Sequence, residues 1–135
     1  MNHIIRVLQV VSVMDRGGAE TMIMNIYRKI DKSKVQFDFI VHSDKKGEYD
    51  DEIKQLGGNI YHIPKYKGIN HFRYKKAWKN FFKEHTEYKI IHSHVRSTAI
   101  IYLSIAKKFG LTTIIHSHST SSGHGMKGLI KNLFQ

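Results

Sequence analysis

The sequence predicts an α/β fold: a Rossmann-like parallel sheet with helices on both faces. Three observations predict it. Short β-branched apolar runs alternate with segments of helical periodicity along the chain. The first run, IIRVLQVVS at 4–12, is apolar enough for a strand buried on both faces. Glycine and polar clusters fall where the runs end, and open parallel sheets bind ligands at the carboxyl ends of their strands.

The elements follow in order. Residues 4–12 are the first strand, and Asp15-Arg16-Gly17-Gly18 is a turn signal. In the next helix Ala19, Met22, Ile23, Ile26, Tyr27 and Ile30 form the stripe that packs on a sheet. Residues 37–42 (FDFIVH) are the second strand. A short helix over 48–56 stops at Gly57-Gly58, and residues 59–63 form a third strand closed by Pro64. A basic loop, 65–70, leads to a helix with Tyr74, Ala77, Trp78, Phe81 and Phe82 on one face. Residues 90–94 are the fourth strand. The helix over 97–109 is apolar nearly all round, so it should be largely buried, and Gly110 caps it. Residues 112–116 are the fifth strand. A Ser-, Gly- and His-rich loop spans 117–128, and a further helix opens at Leu129. The 135 residues thus read as one domain.

Composition excludes several classes. There is no cysteine, which removes disulfides, thiolate nucleophiles and cysteine-ligated zinc. A 41% apolar content supports a core and argues against disorder. No uncharged apolar run is long enough for a membrane span, and the first residues lack the features of a signal peptide. The net charge of +11 is uneven: residues 1–52 carry 8 Lys/Arg and 9 Asp/Glu, residues 53–135 carry 14 and 2. The second part therefore expects an anionic partner, such as phosphates or acidic lipid. Within it, KYKGINHFRYKKAWKNFFKEH at 65–85 interleaves aromatics with seven Lys/Arg. Two readings stand side by side: a membrane-facing amphipathic segment, or an aromatic core face with a solvated basic back. No nucleic-acid-binding module is visible, so nucleic acid is not expected.

Four histidines are the strongest chemical signal. His92-Ser93-His94 ends the fourth strand and His116-Ser117-His118 ends the fifth. Alternate strand residues share a face, so each pair projects together. Metal chelation, acid–base or electrostatic work on a hydroxyl or phosphate, and structural hydrogen bonding are all open. No Asp or Glu occurs from 88 to 135, which deprives a metal of a local carboxylate, and no metal is expected. Gly17-Gly18, between a strand and a helix, can admit a phosphate to backbone N–H groups, or be a plain turn. Glu20 suits the helix dipole without further role. Arg96, opening the fourth helix, can clamp a phosphate or carboxylate, or be a surface arginine.

The stretch RVLQVVSVMDRGGAETMIMNIYRKIDKSKVQFDFIVH closely resembles the start of bacterial family 4 glycosyltransferases that build capsular polysaccharide and exopolysaccharide. GGAE, YDDEIKQLGGNIYHIP, YKIIHSHVRS and TTIIHSHSTS follow in that family's order, from about residue 5 to 121. The resemblance implies the GT-B fold, two Rossmann-like domains facing a cleft, of which this chain is the N-terminal, acceptor-side half. It implies sugar transfer from a nucleotide-sugar donor, with retention and without metal or other cofactor, to a glycan or lipid-linked acceptor. Carried over by residue, it places Gly17 and Gly18 at the donor diphosphate. His118, with His116 as alternative, falls near the reacting sugar as the catalytic position; His94, with His92 and Arg96, falls on the acceptor side. A C-terminal donor-binding domain and its Glu motif are missing from this sequence, so the chain is expected to be a fragment with little turnover alone. The expected location is cytoplasmic, peripheral on the inner membrane face. Two alternatives remain: a non-catalytic binding subunit of a split glycosyltransferase, and a histidine-ligated metal protein.

Overall fold

The computed structural model describes residues 3–116. His118, the 117–128 loop and the helix expected from Leu129 lie outside the described residues. Nine elements alternate: β1 (Ile5–Val11), α1 (Gly18–Lys29), β2 (Val35–Val41), α2 (Asp50–Gln55), β3 (Ile60–His62), α3 (His71–Glu84), β4 (Ile90–Ser93), α4 (Ala99–Lys108) and β5 (Thr112–Ile115). The strands form one sheet in the order β3-β2-β1-β4-β5. All four pairings are parallel. This is the expected Rossmann-like fold.

Two apolar layers sandwich the sheet. On one face, Ile23, Met24 and Tyr27 of α1 and Ile53 of α2 pack with Val11, Phe37, Phe39 and Val41. On the other, α3 and α4 bury Tyr74, Trp78, Phe82, Tyr102 and Leu103 against Leu8, Val10, Ile40 and Ile91. Alternation along β1 produces both sets: Leu8 and Val10 face one layer, Val11 the other. Trp78 stacks on Tyr102 with ring centroids 4.7 Å apart, which docks α3 on α4.

The α3 stripe is therefore core: Tyr74, Trp78, Phe81 and Phe82 are buried. Its membrane-facing alternative is corrected, because these rings close the gap between the sheet and α4. The α1 stripe also needs adjustment. Ile26 is exposed and Met24 is fully buried, so the buried arc is rotated from the predicted one. Along α4 the burial is one-sided, with Ile100 81% exposed. Arg96 precedes α4 by three residues and does not open it; its carbonyl accepts from the Ala99 amide. Gly57, at φ 94°, supplies the left-handed residue after α2.

At the amino-terminal edge of the sheet a buried carboxylate fastens four segments. Asp38 on β2 has no exposed surface. It accepts from Arg6 Nη1 at 2.9 Å, from the Asn59 amide at 2.7 Å and from the Tyr88 hydroxyl at 2.5 Å. Burial, then the bond to Asp38, raises the pKa of Tyr88 and keeps its proton in place as a donor. Asp38→Ala strands the Tyr88 and Asn59 donors. Urea unfolding should report a loss of roughly 3 kcal/mol, while Arg16→Ala, which breaks an exposed ion pair with Glu48, should leave the midpoint nearly unchanged.

Candidate functional site

At the carboxyl edge the polar groups collect in two places, one on each face of the sheet. The first is a histidine trio. His92 and His94 leave β4 on one side, and His116 follows β5. Backbone bonds set the stagger: the His94 amide donates to the Val10 carbonyl at 2.9 Å, and the His116 amide to Ser93 at 2.8 Å. Ring centroids are 4.2 Å apart for His92–His94, 5.5 Å for His92–His116 and 5.4 Å for His94–His116. Gln9, buried on β1 and paired in register with His92, reaches His94 Nε2 through Oε1 at 2.8 Å. Gln9 alternates with Val11 on β1, so this cluster lies on the α1/α2 side.

The diglycine turn is on the same side and is braced from behind. The Tyr49 amide donates to the Met14 carbonyl, and Asp15 accepts from the Glu48 amide at 3.0 Å. Thr21 Oγ1 and Tyr49 Oη lie 2.8 Å apart. Gly17 is the extended N-cap residue of α1, and neither it nor Gly18 has a positive φ. Backbone conformation thus does not require glycine here. A Cβ on Gly18 would meet nothing within 4 Å, and one on Gly17 would meet only the flexible Glu20 carboxylate. The turn therefore presents open space beside the first N–H groups of α1, as an anion site needs. Glu20, folded back over Gly17, sits in the first turn of α1, as a carboxylate suited to the helix dipole does.

The second place is an open cleft of about 1280 Å³ on the α3/α4 side. Its wall includes Ser12, His42, Ser43, His62, Arg73 and Thr98, with Lys45, Lys65 and Lys67 at hand. Among the described residues, none of those expected at the donor, the acceptor or the reacting sugar lines it. Sequence reasoning placed His42-Ser43 at a strand end and noted the basic loop, but missed His62, Tyr66 and Arg73. Their signal was the charge of the 65–73 segment, which points to the segment and not to individual side chains. Arg96 is exposed in the loop after β4, next to the cleft-lining Val95 and Ser97.

His42 anchors the cleft floor through a directed chain. The Val11 carbonyl can only accept, so His42 Nδ1–H donates to it across 3.2 Å. Nε2 then accepts from the Tyr74 hydroxyl at 2.7 Å, and Tyr74 Oη lies 2.8 Å from Thr98 Oγ1. Burial lowers the pKa of His42 from 6.5, opposed by the Val11 bond. The folded state thus holds His42 neutral while the unfolded chain protonates near 6.5. The contribution to stability is complete above that pH and is lost as pH falls from it through the lower folded value. Thermal melts across this range should show the decline, and His42→Gln should remove the part of the slope owed to this residue.

Comparisons with known proteins bear on the same segments. The family model described as Glycosyltransferase Family 4 matches residues 16–135. EpsF of Bacillus subtilis (strain 168), named as a glycosyltransferase, is 42% identical over 117 residues, covering 86% of this chain and 30% of EpsF. CapH of Staphylococcus aureus, named a capsular polysaccharide biosynthesis glycosyltransferase, is 31% identical over 91 residues, covering 67% of this chain and 24% of CapH. The chain thus spans less than a third of either relative. The crystal structure of Acinetobacter baumannii MurG matches the fold with a TM-score of 0.62 at 14% identity, over 94% of this chain and 39% of MurG. Because the matched model takes in the diglycine turn and the histidine-bearing strand ends alike, the chain belongs to glycosyltransferase family 4.

Proposed function

We propose that the protein containing this chain is a retaining glycosyltransferase. It moves a sugar from a nucleotide-sugar donor to a glycan or lipid-linked acceptor in bacterial surface-polysaccharide synthesis. One observation carries the reading: a diglycine turn at a helix N-terminus, open at Gly18, and a cluster of imidazoles share one side of the carboxyl edge. The names of EpsF and CapH support the reaction class, and that of CapH supports the polysaccharide.

In this reading Gly17 and Gly18 let the donor diphosphate approach the α1 N–H groups. His118, with His116, acts near the reacting sugar; His92, His94 and Arg96 serve the acceptor hydroxyl. No Asp or Glu occurs from 88 onward to attack the sugar beside these histidines. This agrees with the front-face departure, assisted by the diphosphate, that the family resemblance implies. The acceptor oxygen bonds to the anomeric carbon as the bond to the diphosphate oxygen breaks, and the acceptor proton passes to that leaving oxygen. Groups from a second, donor-binding domain complete the stabilisation of its charge. Transfer uses no cofactor beyond the donor.

The surface of α3 supports peripheral docking on an anionic membrane. Among the described residues no helix is long and apolar enough to cross one. Ile69 and Phe72 are 97% and 83% exposed, and Lys75, Lys76, Lys79 and Lys83 line a shallow depression beside Phe72. The docking side chains are thus Ile69 and Phe72, not the buried aromatic stripe, with basic residues adding attraction to acidic headgroups.

Two measurements test this. With the full-length protein and a nucleotide-sugar panel, Gly18→Ala should leave the melting temperature unchanged and lower kcat/KM at least about tenfold. His118→Ala should lower turnover by roughly 10²-fold or more; full turnover in it removes His118 from the mechanism. Separately, Phe72→Ser should abolish co-sedimentation with anionic vesicles at low salt, and equal binding by wild type to neutral vesicles would refute the electrostatic part.

A further inference from the structure

The histidine trio has a second capacity, in competition with the roles proposed for it in sugar transfer. We infer that His92, His94 and His116 form a tridentate site for a divalent transition ion of the zinc class.

The donor atoms of the three side chains all lie within 4.8 Å of one another. His92 lies on β4, His94 directly follows the last residue of that strand and His116 directly follows β5, held by the Ser93–His116 and Val10–His94 backbone bonds. Paired strands hold such a set without loop ordering, so little entropy opposes binding. A tetrahedral ion with bonds of about 2.0–2.1 Å needs nitrogens closer than this, at about 3.4 Å. The rings of His92 and His94 are inclined by 46°, those of His94 and His116 by 41° and those of His92 and His116 by 7°, so ion binding requires side-chain rotation to converge the nitrogens.

Gln9 supplies the outer contact that such sites use. Its Oε1 accepts from His94 Nε2–H at 2.8 Å, which orients the ring. Gln9 is itself 2% exposed, a polar side chain placed inside a buried strand. His116 is buried while His92 and His94 are half-buried, so an ion has both a closed floor and a way in. Three neutral imidazoles select borderline ions such as zinc, nickel or copper over magnesium or calcium. With no carboxylate in the set, the bound ion keeps its full charge and takes an anion or water in the fourth position. This departs from the metal-free expectation, and the site is assigned to ion binding, not to the transfer step.

The test reads binding alone, so its failure leaves the sugar-transfer reading untouched. Tag-free protein, stripped with a chelator and dialysed, is titrated with Co2+ by visible absorption and back-titrated with Zn2+. One equivalent should bind, with the d–d spectrum of a low-coordinate nitrogen site, and zinc should displace it. His92→Ala, His94→Ala and His116→Ala should each weaken affinity about tenfold or more, and Gln9→Ala likewise. His62→Ala, on the edge strand β3 at the far end of the sheet, should change nothing. Circular dichroism checks each fold, and His92→Gln replaces any alanine variant that unfolds. Absence of saturable cobalt uptake at micromolar concentration overturns the inference. So does uptake that survives all three histidine substitutions or disappears in His62→Ala.

Discussion

The structure depends on β1 hydrogen-bonding in parallel to two partners that are far apart in sequence. Ile5–Val11 pairs along its whole length with Val35–Val41 and along its second half with Ile90–Ser93. Because both pairings are parallel, every return of the chain must cross a face of the sheet through a helix. The first two crossovers, α1 and α2, lie on one face; α3 and α4 lie on the other. The change of side at β1 splays the loops after β1 and β4 apart, which is where open sheets of this kind leave a crevice. The diglycine turn and the histidine-bearing strand end are those two loops.

The two edges of the sheet have different physics. The amino-terminal edge is fastened by Asp38, whose oxygens bind groups that precede or begin β1, β3 and β4. A buried carboxylate with several donors fixes relative strand position, because few other arrangements satisfy it. The Tyr27 hydroxyl meets Gln36 on the same edge, and burial lifts its pKa to about 12. The carboxyl edge instead gathers the diglycine turn, the histidines and the basic cleft. A buried chain there, His42–Tyr74–Thr98, couples β2 to α3 and α4 beneath the cleft. Rigid strands thus carry adaptable polar groups at one end only.

The α3 segment shows how one helix serves both tasks. Its aromatic face completes the core, and Trp78 and Tyr102 set the distance to α4. Its opposite face keeps the lysines in solvent beside Phe72. Charge and burial therefore do not compete, since helical periodicity separates them by half a turn.

The fold was legible in the sequence because alternating strand and helix periods are local signals, and a parallel α/β order permits few topologies. The placement of His92, His94 and His116 on a common side was legible for the same reason, from strand alternation and two neighbouring strands. Ile26 and Met24 were misjudged because the buried arc of α1 is set by how the helix rotates on the sheet, not by its own spacing. Asp38 and Gln9 passed unnoticed although each is a polar residue inside an apolar run, the one local hint that a buried partner exists. Their partners are 32 and 85 residues away along the chain, at Arg6 and His94. The amino-acid sequence determined which elements form and which residue types meet at the carboxyl edge. Only the tertiary structure decided that the basic cleft and the histidines lie on opposite faces, because the side a crossover takes depends on packing between distant segments.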